Sequence, residues 1–155
     1  MSVRLAVVLT ALLVAFVACG APPGSPSASV ASVAACSLVP DMDEAVGRTA
    51  VAPASGFEVG GRNRCTWVYA NDPARYVGLT SGARTNHDDA VGAFGPGEVV
   101  PGLGDDARWW PNTRTMSVAI GERSVQVDLQ LEAGEATREL AVDIATRAVG
   151  RLGPG

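Results

Sequence analysis

The chain lacks lysine altogether, so all 12 of its basic residues are arginines. It has 16 acidic residues and a formal net charge of −4, and its arginines form no cluster along the sequence. Proteins that bind nucleic acids need a basic patch that neutralises phosphates. The composition therefore argues against a nucleic acid as the partner.

The chain has a single histidine, His87, and no Gly-x-Ser-x-Gly motif. A serine or cysteine nucleophile needs a neighbouring base, and His87 is the one histidine that could serve. His87, Asp88 and Asp89 could ligate a metal, but adjacent side chains at the start of a helix point in different directions, and acids there are favoured by the helix dipole. We therefore expect no metal site, no cofactor and no enzymatic activity.

The chain also lacks an apolar run long enough to span a bilayer. The longest, Leu5–Val17, has 13 residues, whereas a spanning helix needs about 20. This length is typical of a signal peptide, and the run ends in Val17-Ala18-Cys19-Gly20, which is typical of a lipoprotein lipobox. We predict that residues 1–18 are a lipoprotein signal peptide, that Cys19 carries the lipid, and that the protein is extracytoplasmic and anchored to the cell membrane. Ordinary secretion after cleavage and an uncleaved anchor stay open as alternatives.

Only three cysteines are present: Cys19, Cys36 and Cys65. An odd cysteine in an exported protein needs an explanation, and a lipid on Cys19 supplies one. The other two would then form a disulfide, which an extracytoplasmic compartment permits. We predict that this bond joins an N-terminal helix to the first core strand.

The remainder of the chain divides at Cys36. Residues 19–35 are rich in proline, serine and alanine and carry no charge, so they predict a flexible tether. Residues 36–152 predict one globular domain in the order helix, two strands, helix, two or three strands, helix. This order is typical of an α+β fold in which an antiparallel sheet packs helices on one face.

Several elements have clear local signals. Asp41 and Glu44 form a possible capping pair for a short helix that ends at Gly47. The apolar spacing of Thr85–Phe94 and of residues 136–152 predicts two further helices. Thr115–Ile120 and residues 124–131 predict a hairpin, since Val125, Val127, Leu129 and Leu131 alternate with polar residues and so bury one face.

The candidate site at this stage is the segment Asp105, Asp106, Trp109 and Trp110. Adjacent carboxylates rarely reach the spacing that glycoside hydrolysis needs, and a turn whose carboxylates accept backbone N–H groups is the alternative. Consecutive tryptophans in a strand face opposite ways, so we expect one ring in the core near Trp67. We expect the other ring to face solvent or a cleft, where it could contact a ligand or partner.

With these motifs in view, the chain resembles the small actinobacterial lipoproteins of the mycobacterial Lpp/Lpr type that carry a domain of unknown function. The resemblance rests on the lipobox and tether, Cys36-Ser37-Leu38, Gly47, Cys65-Thr66-Trp67 and the loop from Val100 to Ala107. It covers nearly the whole mature chain. It implies the location and the α+β fold, and it implies no reaction.

Three functions are compatible with these observations. The first is a non-enzymatic, monomeric lipoprotein that binds a glycan, a lipid or a protein partner of the cell envelope. The second is a structural subunit whose role is partner contact at the membrane. The third is an envelope hydrolase, which the lack of a nucleophile and base pair disfavours. An open apolar cleft of more than about 300 Å³ would favour the first, and a flat patch would favour the second.

Overall fold

The computed structural model describes residues 34–52 and 54–153. The helices in these ranges are α1 (Ala35–Leu38), α2 (Met42–Val46), α3 (Thr85–Phe94) and α4 (Arg138–Leu152). The strands are β1 (Ser55–Val59), β2 (Arg62–Val68), β3 (Tyr76–Ala83), β4 (Glu98–Val99), β5 (Asp106–Trp110), β6 (Thr115–Ile120) and β7 (Arg123–Gln130).

The membrane-related predictions fall on other residues. The signal peptide, the lipidation site at Cys19 and most of the tether lie outside the described residues. Within the described ranges, no helix has the length and apolar character that crossing a membrane requires.

The seven strands form one antiparallel sheet in the order β1-β2-β3-β7-β6-β5-β4. Strands β1 to β3 form one meander and β4 to β7 form another, and the two join where β3 pairs with β7. The predicted hairpin is present, with Thr115 paired to Asp128 and Ile120 to Arg123. The α+β class and the antiparallel sheet are therefore confirmed.

One face of the sheet carries the main core. Val125, Val127 and Leu129 of β7 are fully buried on it, as their alternation predicted. Helix α4 packs its apolar side on β6 and β7, and α1 and α2 pack beside α4 on the same face. The buried side chains of α4 are Ala141, Ile144, Ala145, Ala148 and Leu152.

Helix α3 lies on the opposite face. His87 of α3 contacts Ser117 of β6, and Ser117 points away from the core because its neighbours Met116 and Val118 are core residues. The expectation of helices on one face therefore holds for α1, α2 and α4, with α3 as the exception. Ser117 and Ala119 are small, so they leave room for a helix on this second face.

The predicted disulfide joins α1 to β2. The Cα atoms of Cys36 and Cys65 are 5.0 Å apart, within the range that a disulfide spans. Gly56 of β1 lies beside this bond, because a Cβ atom there would be 3.0 Å from Cys36 Sγ. The bond therefore holds α1 against the β1–β2 edge of the sheet.

The predicted side-chain cap at Asp41 is wrong. The Asp41 carboxylate makes no hydrogen bond to the first turn of α2 and instead binds the guanidinium groups of Arg147 and Arg151 from α4. The two guanidinium groups neutralise the charge of this carboxylate, which a neutral backbone N–H cannot do. Gly47 does end α2 as predicted, in the left-handed conformation with φ of 76°.

Candidate functional site

Trp109 and Trp110 face opposite sides of β5, as expected, but neither ring is exposed. Trp109 is 4% exposed in the main core, and Trp110 is 5% exposed beneath α3. The Trp110 ring packs edge-on against Phe94, with centroids 5.5 Å apart, and its Nε1 donates to the carbonyl of Gly95. The expectation that one ring faces solvent or a cleft is therefore wrong, because Phe94 at the end of α3 and the loop residues Gly95 and Gly97 cover Trp110.

The two aspartates before the tryptophans have separate structural partners. Asp105 accepts a hydrogen bond of 2.7 Å from the backbone N–H of Gly121 and ties its loop to the β6–β7 turn. Asp106 accepts from Arg108 Nε at 2.7 Å and lies 3.2 Å from His87 Nε2. The structure therefore does not join these two carboxylates into a common site.

His87 connects a serine to a carboxylate. Its Nδ1 is 3.1 Å from Ser117 Oγ, and its Nε2 is 3.2 Å from Asp106 Oδ2. These three residue types are those of a hydrolase triad, yet Ser117 and His87 are each only 1% exposed. A nucleophile must reach its substrate, so this arrangement serves to attach α3 to the sheet.

Asp106 is ionised in this arrangement. Although burial favours the neutral acid, the hydrogen bonds from Arg108 and then from His87 lower the pKa of the Asp106 carboxyl below its ordinary value. Within the described ranges, no three His, Cys, Asp or Glu side chains are grouped to hold a metal ion. The contacts of Asp106 with His87 of α3 and Arg108 of β5 therefore hold this helix and strand together.

A cleft with a volume of about 380 Å³ lies beside α2. Trp67 lies at its base but is only 6% exposed, so the cleft presents little of the ring. Asp43, on its wall, already accepts hydrogen bonds from Tyr69 and from the backbone of Ala50. The cleft exceeds the size that favours a binding role, but its lining offers few groups to a ligand: Pro40, Asp43, Ala50, Val51, Ala52, Ala54 and Trp67.

A second depression lies on the other face, between the β1–β2 hairpin and α3, and we name it the β1–α3 groove. It consists of two cavities of about 170 and 210 Å³ that share Arg62 and Gln126. The first is also lined by Phe57, Val59, Arg64 and Thr80. The second is also lined by Asn86, Asp89, Ala90, Ala93 and Phe94.

Exposed apolar side chains concentrate at this groove. The described ranges contain five large apolar side chains that are exposed, and three of them line it. Phe57 is 51% exposed, Val59 is 64% exposed and Phe94 is 46% exposed. Single exposed apolar residues need no explanation, but several exposed apolar side chains around one groove with polar residues at its rim are typical of an interaction site.

The floor of the groove is a polar network. Arg64 of β2 crosses β3 and donates to Asp128 of β7 over 3.0 Å. Asp128 also accepts from Thr115 at 3.2 Å and from Gln126 at 3.0 Å, and the Arg64 guanidinium lies 5.8 Å from the centre of the Tyr76 ring. Each of these contacts limits how the Arg64 and Gln126 side chains can turn, so the groove presents them in a fixed arrangement.

The mouth of the groove is crossed by an ion pair. Arg62 of β2 donates to Asp89 of α3 over 3.0 Å, and the two side chains are 48% and 67% exposed. Exposed pairs of this kind contribute about 0–1 kcal/mol. A ligand could therefore displace this contact at little cost.

The sequence contained weak signals for this groove. Phe57 and Val59 alternate with Glu58 in a short apolar strand, and Gln126 and Asp128 occupy the polar positions of β7. Asp128 alternates with the buried residues of β7, yet it is itself only 8% exposed because the Arg64 side chain pairs with it. Nothing in the sequence indicates that Asp89 of α3 meets Arg62 of β2 across this face.

Comparisons with known proteins add no relative. A scan against protein-family models, a search of curated proteins and a search of solved structures each find no match to this chain. The resemblance to small actinobacterial lipoproteins therefore stays a prediction.

Proposed function

We propose that this chain is a non-enzymatic binding protein of the cell envelope, held at the membrane by a lipid on Cys19. We place its ligand site in the β1–α3 groove. The observation that carries the proposal is the convergence of Phe57, Val59 and Phe94 on a groove with a polar floor. A ligand site typically combines apolar walls with a few oriented polar groups.

The burial of the serine–histidine pair in the described part of the chain supports a binding role. Ser117 and His87 are hydrogen-bonded to each other but sealed under α3. The polar side chains of the groove are Arg62, Arg64, Thr80, Gln126, Asn86 and Asp89. None of these has a neighbouring base positioned as in a nucleophile–base pair among the contacts of the described residues, so the groove is suited to hold a molecule and not to cleave it.

A structural role in an envelope complex is the second candidate. Strand β1 lies at the edge of the sheet and all five of its residues are exposed. Such an edge presents unpaired peptide groups that another chain can extend as a further strand. This role predicts a protein partner along β1 and not a ligand inside the groove.

Photo-crosslinking in intact cells tests the proposal. We would replace Phe57 by a photoreactive phenylalanine analogue in the full-length protein and, as a matched control, replace Val99 in the same way. Val99 is 59% exposed and lies in β4 at the far edge of the sheet. After irradiation, mass spectrometry of the purified protein compares the adducts at the two positions.

An adduct of a small molecule or glycan that forms at position 57 and not at position 99 is the expected result. An adduct of one defined protein at position 57 would favour the structural role instead. Equal labelling at both positions, or none at position 57, would contradict a binding site in the groove.

A further inference from the structure

We propose that the β1–α3 groove takes the neutral sugar rings of a glycan strand. This inference rests on the proposed function and names the ligand class of the same site. It follows from three properties of the groove: where its apolar rings lie, which polar groups form its floor, and how its charges balance.

The apolar walls provide surfaces for the C–H faces of sugar rings. Phe57 lines one cavity and Phe94 lines the other, and each is about half exposed. A pyranose ring carries C–H groups on one face and hydroxyl groups around its edge, so it can lie against an aromatic ring while its hydroxyls reach outward. An aromatic ring presents an apolar body at low entropic cost because it has few rotatable bonds.

The floor provides partners for the hydroxyl groups. Gln126 donates through Nε2 to Asp128, so its amide oxygen is directed away from Asp128 and can accept. The hydrogen bonds of Arg64 to described residues are made by Nη1, and a guanidinium has five N–H donors in all. Thr80 adds a hydroxyl that can donate and accept. A ligand with many hydroxyls matches this mixture of donors and acceptors.

The charges of the groove balance. Arg62 is paired with Asp89, and Arg64 is paired with Asp128. A site for phosphate or for an acidic headgroup needs cations that are free to pair with the ligand. These two arginines and two aspartates together carry no net charge, so the groove favours a neutral ligand over an anionic one even where the exposed Arg62–Asp89 contact opens.

The size and depth of the cavities favour compact rings over an acyl chain. Each cavity is smaller than the roughly 300 Å³ at which pockets for drug-sized ligands begin. The two adjoin at Arg62 and Gln126. They could therefore hold neighbouring rings of a strand that continues beyond the groove at both ends, whereas an acyl chain needs a continuous apolar tunnel.

Calorimetric titration of the purified protein with defined probes tests the ligand class. The neutral probes are linear hexasaccharides of glucose, mannose, arabinose and N-acetylglucosamine. The charged probes are a galacturonic acid hexasaccharide and vesicles of phosphatidylglycerol. The variants are Phe57→Ala, Thr80→Val and, as the matched control at an exposed apolar position outside the groove, Val99→Ala.

We expect at least one neutral hexasaccharide to bind. We expect Phe57→Ala to weaken that binding about tenfold or more and Thr80→Val to weaken it about threefold to tenfold. We expect Val99→Ala to leave the binding within about twofold of the original protein. Thermal unfolding of each variant shows whether a weaker affinity reflects the lost contact with the sugar or a variant that does not fold.

Two results would overturn the glycan class while leaving a binding role in place. In the first, the protein binds the vesicles or the acidic hexasaccharide and no neutral sugar, and Phe57→Ala abolishes that binding. The other is no binding of any probe together with a small-molecule adduct specific to position 57 in the crosslinking experiment. Binding of a neutral sugar that Phe57→Ala and Thr80→Val leave unchanged would overturn the groove as the site, and the proposed function with it.

Discussion

Gly78 of β3 lies directly beneath the guanidinium group of Arg64. A Cβ atom at Gly78 would be 2.6 Å from Arg64 Nη2, which is closer than a Cβ atom approaches an atom that is not covalently bonded to it. The missing side chain leaves the space that the Arg64 guanidinium occupies where it crosses β3 to reach Asp128 on β7. Gly78 has an ordinary strand conformation, so its backbone does not require glycine. Its small size makes room for the Arg64 side chain in the floor of the β1–α3 groove.

Gly78→Ala should lower the free energy of unfolding by about 1–3 kcal/mol. The new methyl group displaces Arg64, so the nearly buried Asp128 carboxylate loses its charged donor. Urea unfolding measures the change. Gly92→Ala is the control: Gly92 lies in α3 with no atom within 4 Å of an added Cβ, so this variant should gain up to about 1 kcal/mol. Equal effects at the two glycines would contradict the close contact at Gly78.

Removal of the disulfide should destabilise the fold by about 3–4 kcal/mol, since it closes a loop with a sequence separation of 29 residues. Cys36→Ser and Cys65→Ser should each have this effect. The double variant should be no worse than either single variant, because the same bond is lost in all three. Chemical unfolding without reductant measures the loss. Single variants as stable as the original protein would show that the bond does not contribute.

Both tryptophans of β5 should matter for stability. Trp109→Ala and Trp110→Ala each remove a buried ring, and such changes cost about 3–5 kcal/mol. Trp110→Ala also removes the donor to the Gly95 carbonyl. Thermal and urea unfolding test the two variants side by side. If Trp110→Ala were neutral within about 0.5 kcal/mol, its ring would not be covered by α3 as described.

Asp106 should contribute to stability at neutral pH and lose that contribution in acid. Its folded-state pKa is lowered, despite burial, by hydrogen bonds from Arg108 and His87. A lowered pKa adds stability above the ordinary value of about 4, and the stability is lost as the pH falls through the folded-state value.

Asp106→Asn should therefore be less stable than the original protein at pH 6, and the difference should shrink as the pH falls below about 4. Arg108→Ala should show a smaller change with the same pH dependence, because it removes one of the two donors. Free energies of unfolding measured between pH 2 and pH 7 test both variants. A difference that stays constant over this interval would show that the ionised carboxylate is not what stabilises the contact.

The lipid anchor is testable independently of the groove. Cys19→Ala removes the thiol that would carry the diacylglycerol, so the protein should leave the membrane fraction or accumulate as the uncut precursor. Fractionation with immunodetection and N-terminal mass analysis measures this. Retention in the membrane with a normally processed N-terminus would contradict the prediction that Cys19 is lipidated.

Local chemistry in the sequence was sufficient to predict most of the elements. The alternation along β7, the apolar stripe of α4 and the stop at Gly47 each depend on neighbours within a few residues, so they can be recognised without a fold. The lipobox at Cys19, together with a count of three cysteines, indicated the pairing of Cys36 with Cys65. The predictions for Cys19, the tether and the membrane rest on the sequence by itself.

The candidate site was decided by the tertiary structure. Arg64 and Asp128 are 64 residues apart, and Phe57 and Phe94 come from elements that sequence patterns do not bring together. The position of Trp110 in β5 predicted only that its ring points away from Trp109. The ring is covered because the end of α3, on the second face of the sheet, packs against it. Period and spacing determine which way a side chain points from its own strand or helix, but what covers it depends on contacts between elements distant in the chain.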